Sequence, residues 1–134
     1  MAHTFELLSP RSLPPTANYS HLAIVPPGAR TVYVSGQVPL DANGDLVGEG
    51  DFEAQAIRVF ENVGIALAEA GTDFGGLVKI GLYLTDMREL ATLRRVRDRF
   101  IRAESPPTST LVQVAAFFNP DILFEMDAVA VVLG

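Results

Sequence analysis

The sequence predicts an α+β fold in which two helices cover one face of a mixed β-sheet. Two observations carry that expectation. Residues Leu77–Leu84, LVKIGLYL, set Val78, Ile80, Leu82 and Leu84 against Lys79, Gly81 and Tyr83, the period of two that a half-buried strand requires. Residues 51–70 instead space Phe52, Ala56, Val59, Val63, Leu67 and Ala70 by three and four, the stripe of a helix with one buried face. The order along the chain, βββ-α-β-α-β-β, leaves two helices for one sheet and gives a two-layer sandwich.

The elements follow in order. The first twenty residues hold Pro10, Pro14 and Pro15 and read as a short strand followed by an irregular arm. A second short strand at 22–25 ends at Pro26-Pro27-Gly28, and TVYVSGQV at 31–38 is β-branched and aromatic enough for a third. These three are expected to form a small antiparallel meander. Asp41-Ala-Asn-Gly-Asp45 is a turn, because Asn-Gly tolerates positive φ. Gly71 stops the first helix at its C′ position. Asp86 with Glu89 resembles a capping box and opens a second helix over 86–102, with Leu90, Leu93, Val96 or Arg97, and Phe100 inward. Ser105-Pro106-Pro107 ends it, and strands at 110–117 and 123–132 flank a turn around Asn119-Pro120-Asp121. With helices on one face, the other face would offer Leu111, Gln113, Ala115, Leu123, Val129 and Val131. That surface is too apolar for water, so a second copy of the chain is expected to cover it.

Composition narrows the function. The length of 134 residues fits one domain, spanning 1–134. A net charge of −6 argues against nucleic acid or an anionic membrane as partner. The absence of cysteine removes thiolate nucleophiles and cysteine-based metal sites. His3 and His21 lack ligand spacing, so no metal is expected. No run is long and apolar enough for a membrane span, and no signal peptide is evident, so the expected location is cytoplasmic.

Chemistry is expected in few places. Glu125 and Asp127 lie two residues apart on one strand face, where unpaired carboxylates cost several kcal/mol in an apolar setting. They serve either as a general acid/base with a held water or as an inter-subunit salt bridge, and residue pattern alone leans to the bridge. Ser35 and Gly36 close a strand, where Gly36 lets backbone approach a ligand or simply marks a bulge. Tyr19 sits in the arm as a pocket lid or a packing aromatic, and Ser109 and Thr110 present hydroxyls where a strand begins. Arg94, Arg95, Arg97, Arg99 and Arg102 wrap the second helix as a solvated face, offset by Glu89, Asp98 and Glu104.

Taken together, YVSGQVPLD, AQAIRVFENVGIALAEAG, VKIGLYLTDM, PPTSTLVQVA and FEMDAVAVV resemble, in this order, the RidA/YjgF family of reactive-intermediate deaminases. The resemblance implies a chorismate-mutase-like subunit, a homotrimer, and ligand clefts between neighbouring subunits. It also implies hydrolysis of enamines or imines to 2-oxo acids and ammonia, with no cofactor. In that pattern Tyr19, Ser35 and Asp127 are catalytic, with Asp127 standing where a glutamate is usual. Gly36, Ser109, Thr110, Arg88 and Glu125 would contact the ligand. The family's carboxylate-gripping arginine falls at Ser109, and a hydroxyl does not reproduce a bidentate guanidinium. Poor handling of 2-iminopropanoate is therefore expected, with Arg88 either compensating as a cation or directed into solvent by the turn before the second helix. Three readings stand: a hydrolase on an altered substrate, a non-catalytic small-molecule-binding trimer, and a protein-interaction trimer.

Overall fold

The computed structural model describes residues 5–133; His3 lies outside them. Two short strands, β1 (Glu6–Leu8) and β2 (Leu22–Ile24), pair with each other as an antiparallel ribbon. Strands β3 (Arg30–Gln37), β4 (Leu77–Leu84), β5 (Thr108–Gln113) and β6 (Phe124–Val132) form a second sheet in the order β3-β6-β4-β5. Only β4 and β5 run parallel there. The expected meander is thus divided: β3 takes β6 as its partner and leaves the first two strands to each other. The mixed sheet with helices on one face is as expected.

Helix α1 (Phe52–Glu69) starts where Asp51 accepts a hydrogen bond from the Ala54 N–H at 3.1 Å, satisfying one orphan donor of its first turn. Phe52, Ala56, Val59, Phe60, Val63 and Leu67 are buried on the sheet. Phe60 stacks with Phe74, Phe100 and Phe124, which joins both layers through one aromatic cluster. The second helix is shorter than expected. A 3-10 turn at Met87–Glu89 precedes α2 (Leu90–Arg97), and beyond Arg97 the hydrogen bonds Arg99 N–H to Val96 and Phe100 N–H to Arg97 tighten the chain out of the α geometry. Asp86 caps through the Arg88 N–H at 2.9 Å. Arg97 is buried against Asp98 at 2.9 Å and Arg95 pairs with Glu53, so the arginine run is partly engaged within the chain.

Strand β5 begins two residues earlier than expected and ends at Gln113. Its register with Lys79–Leu84 of β4 decides both ends, and beyond it Gln113 Oε1 accepts from the Met87 N–H at 2.8 Å. That register also corrects the expected apolar outer face. Leu111 and Gln113 align with Leu82 and Leu84 on the helix side, Leu111 and Leu123 pack against the core, and Val131 is 1% exposed within one chain. The outer face instead mixes Val129, Tyr33 and Val112 with Glu125, Asp127, Lys79 and Thr110.

One polar residue holds three segments together. Gln55 is fully buried, donates to Gly48 O (3.1 Å) and Asp121 O (2.9 Å), and accepts from the Leu123 N–H (2.8 Å). It ties the loop before α1 to the entry of β6. Replacing Gln55 with leucine removes all three partly buried bonds at roughly 1 kcal/mol each. The expected loss is about 3 kcal/mol in urea unfolding, against less than about 0.5 kcal/mol for the exposed control Glu61→Gln.

Candidate functional site

Strand β6 lies between β3 and β4, so Glu125 and Asp127 point out of the sheet with a neighbour on either side. On the β3 side, Val34 pairs with Ala128 and Gln37 with Met126. Two residues, Ser35 and Gly36, therefore stand opposite Asp127 alone: a β-bulge, the device by which a strand re-aims side chains. On the β4 side, Gly81 pairs with Asp127, Tyr83 with Glu125, and Lys79 with Val129. A side chain at either glycine would displace the polar groups of the site. A Cβ at Gly36 would overlap the Glu125 carboxylate, and one at Gly81 would overlap Asp127 Oδ1 and lie 2.6 Å from the Tyr83 hydroxyl.

The Tyr83 hydroxyl donates to Asp127 Oδ2 at 3.0 Å. Partial burial, that hydrogen bond and the nearby carboxylate charges push the Tyr83 phenol above its ordinary value, so it remains a protonated donor. Burial raises the Glu125 carboxyl, and the charge of Asp127 adds to the effect. A pocket of about 310 Å³ opens here, lined by Tyr33, Ser35, Gly36, Lys79, Tyr83 and Asp127. Asp127 thus offers one oxygen to Tyr83 and another, over the bare backbone of Gly81, to a water or ligand. A larger hollow of about 660 Å³ lies between α1 and the loop after β3. Its Asn62 donates to Val38 O and Leu40 O and its Arg58 to Leu40 O, so those polar groups hold the loop.

Of the residues singled out in the sequence, Ser35, Gly36, Glu125 and Asp127 come together within one chain. Thr110 shares their face, opposite Gly81 on the far side of β4. Ser109 does not: it aligns with Ile80 and so belongs to the helix side of the sheet. Tyr19 packs edge-to-face on His21, next to Ser20, whose N–H and hydroxyl bond Pro107 O and Pro106 O. Arg88 folds back on Asp86 at 2.7 Å with its side chain 90% exposed, which places it outside this pocket. Tyr83 and Lys79 were not singled out. Their signal was present, as the polar half of the LVKIGLYL alternation, but only the β4–β6 register shows that this half faces the acid pair.

Comparison with known proteins agrees with this fold. The family profile described as Endoribonuclease L-PSP matches residues 10–132. The chain belongs to this family, the RidA/YjgF family. Among RidA/YjgF relatives, protein DfrA of Myxococcus xanthus is 37% identical over 123 residues, 92% of this chain and 89% of its own. The 2-iminobutanoate/2-iminopropanoate deaminase of Mus musculus is 37% identical over 103 residues, 76% of this chain and 74% of its own. In three dimensions, the Rid-family protein YyfB from Yersinia pestis superposes with a TM-score of 0.86 at 27% identity, covering 96% of this chain and 98% of that one. No helix among the described residues is long and apolar enough to cross a membrane.

The raised Glu125 carboxyl has a consequence for stability. Because its folded value exceeds the ordinary 4.5, its protonated form favours the fold; that stabilisation is full below 4.5 and disappears as pH rises through the folded value. Glu125→Gln, which keeps the shape and removes the ionisation, should therefore raise Tm at pH 7 and leave it unchanged below pH 4. Paired thermal melts at the two pH values check the sign.

Proposed function

We propose that this protein is a hydrolase of small enamines or imines, acting through a water held by Asp127. The observation that carries this reading is the placement of Asp127 itself. It is half-buried, fixed through Oδ2 by Tyr83, and faces a small pocket floored by Gly81 and edged by Ser35 and Gly36. The similarity to a mouse 2-iminobutanoate/2-iminopropanoate deaminase supports the substrate class.

The chemistry needs only a positioned base and a polar cradle. Asp127 accepts a proton as the water oxygen attacks the imine carbon, and the C=N pair moves to nitrogen. The proton then passes to that nitrogen to give a carbinolamine. Asp127 next takes the carbinolamine hydroxyl proton and returns it to nitrogen, so the C–N bond breaks, ammonia leaves and the carbonyl forms. Asp127 serves as base and then acid. The Tyr83 hydrogen bond keeps the second carboxylate oxygen occupied, so one oxygen is presented in a fixed direction.

The reading includes a homotrimer with its clefts between subunits. The open outer face supports it, since Tyr33 is 80% exposed beside half-buried Val129. A small molecule is then the ligand, with no nucleic acid or membrane partner.

Two measurements test the proposal. Sedimentation equilibrium should give three times the 14.4 kDa chain mass, and a monodisperse monomer would remove the inter-subunit cleft. Ammonia release from freshly generated imines and uncharged enamines should fall at least about a hundredfold in Asp127→Asn with KM little changed. Full activity in that variant would return Asp127 to a structural role. No ammonia from any imine or enamine with the native trimer would leave ligand binding without chemistry.

A further inference from the structure

We propose that Lys79 is the carboxylate anchor of this pocket, so that it takes short 2-imino and 2-oxo acids held by their acid group with the reacting carbon beside Asp127. The inference rests on the hydrolase reading for its chemistry, but not for its geometry. Lys79 is the cationic side chain among the residues lining the pocket. It is exposed and forms no ion pair with a described residue. Arg88, by contrast, is engaged by Asp86, and Ser109 offers no charge.

Register sets the spacing. Lys79 precedes Gly81 by two residues on β4, and Gly81 is the partner of Asp127 on β6. The lysine row and the aspartate row are therefore about 6.5 Å apart along the strands. A 2-imino acid has its carboxylate one bond from the imine carbon, and the flexible four-carbon stem of lysine spans the remainder with three rotatable donors.

Charge fixes the orientation. Asp127 lines one side of the pocket, with Glu125 beyond it on β6, and repels a ligand carboxylate, whereas Lys79, two residues from the Asp127 partner Gly81, attracts it. An acid ligand is thus turned with its imine end towards Asp127. Val129, the partner of Lys79 on β6, supplies apolar contact for a short alkyl tail. Tyr33 borders the same pocket and is the partner of Val129 on β3. An ammonium is a point charge rather than a planar fork, so it gives a weaker, less directional grip than an arginine. Weak but carboxylate-dependent recognition is the expected result.

Pyruvate is the stable probe and pyruvamide its uncharged counterpart, each titrated into the native full-length protein and followed by chemical-shift changes. Native protein should bind pyruvate in preference to pyruvamide. Lys79→Met should raise the pyruvate Kd about ten- to a hundredfold, Lys79→Arg should retain binding, and the pyruvamide Kd should not move. Thermal melts of both variants exclude unfolding as the cause. Equal pyruvate affinity in native and Lys79→Met protein, equal losses for both probes, or no pyruvate binding by native protein would each overturn the assignment. Imine hydrolysis measured in parallel separates the two ideas. Lys79-dependent pyruvate binding without ammonia release keeps the anchor and rejects the hydrolase, whereas hydrolysis with Lys79-independent binding does the reverse.

Discussion

The pairing of two residues, Ser35 and Gly36, against Asp127 alone is the constraint on which this site depends. A regular ladder would place one side chain opposite Asp127 and crowd it. The bulge substitutes a small hydroxyl and a bare backbone, and Gly81 does the same on the other flank. Asp127 sits on a central strand with only Ser35, Gly36 and Gly81 directly beside it, and Tyr83 stands opposite Glu125 instead. A methyl group at Gly36 or Gly81 would meet a carboxylate directly. The cost of glycine in a strand, with its extra unfolded-state entropy, is therefore linked to the chemistry that the strand carries.

Rigid support lies behind this opening. Beneath the acid pair, Met126, Ala128 and Ala130 are buried against α1, and the aromatic stack around Phe60 fixes that helix to the sheet. Gln55 fixes the entry of β6 through Leu123, a few residues before Glu125. The strand is thus pinned by packing on one face and by ladder hydrogen bonds on both edges. Its outer side chains inherit a defined direction. A single phenol–carboxylate hydrogen bond then suffices to orient Asp127, because the backbone that carries it has little freedom left.

Electrostatics divides the pocket. Burial, with the charge of Asp127 adding to it, raises the Glu125 carboxyl, and burial with the Asp127 hydrogen bond keeps the Tyr83 phenol protonated. Lys79 stands on the neighbouring strand β4, opposite Val129. Such a dipolar pocket distinguishes the ends of a small ligand without a large contact area, which suits an acid with few atoms. The remaining family-like positions, Ser109 and Tyr19, lie on other surfaces of the subunit.

Much of this was legible in residue order. Periods of two and of three to four, turn chemistry at Asp41–Asp45 and the prolines before β5 give the layers, the helix face and most strands, because local propensity and burial pattern agree there. The joined sequence motifs give the family, and the Ser35–Gly36 and Glu125–Asp127 pairs mark the site. Register was not legible. Nothing in the order of residues says that β3 leaves its sequence neighbours for β6, that β5 starts at Thr108, or that Ser109 turns towards the helices. A shift of one residue moves every side chain of a strand to the other face, so these placements follow only from long-range pairing. For the same reason Tyr83 and Lys79 join the candidate site only in three dimensions. The sequence determines that β4 has a polar half, and the pairing of Gly81 with Asp127 decides what that half confronts.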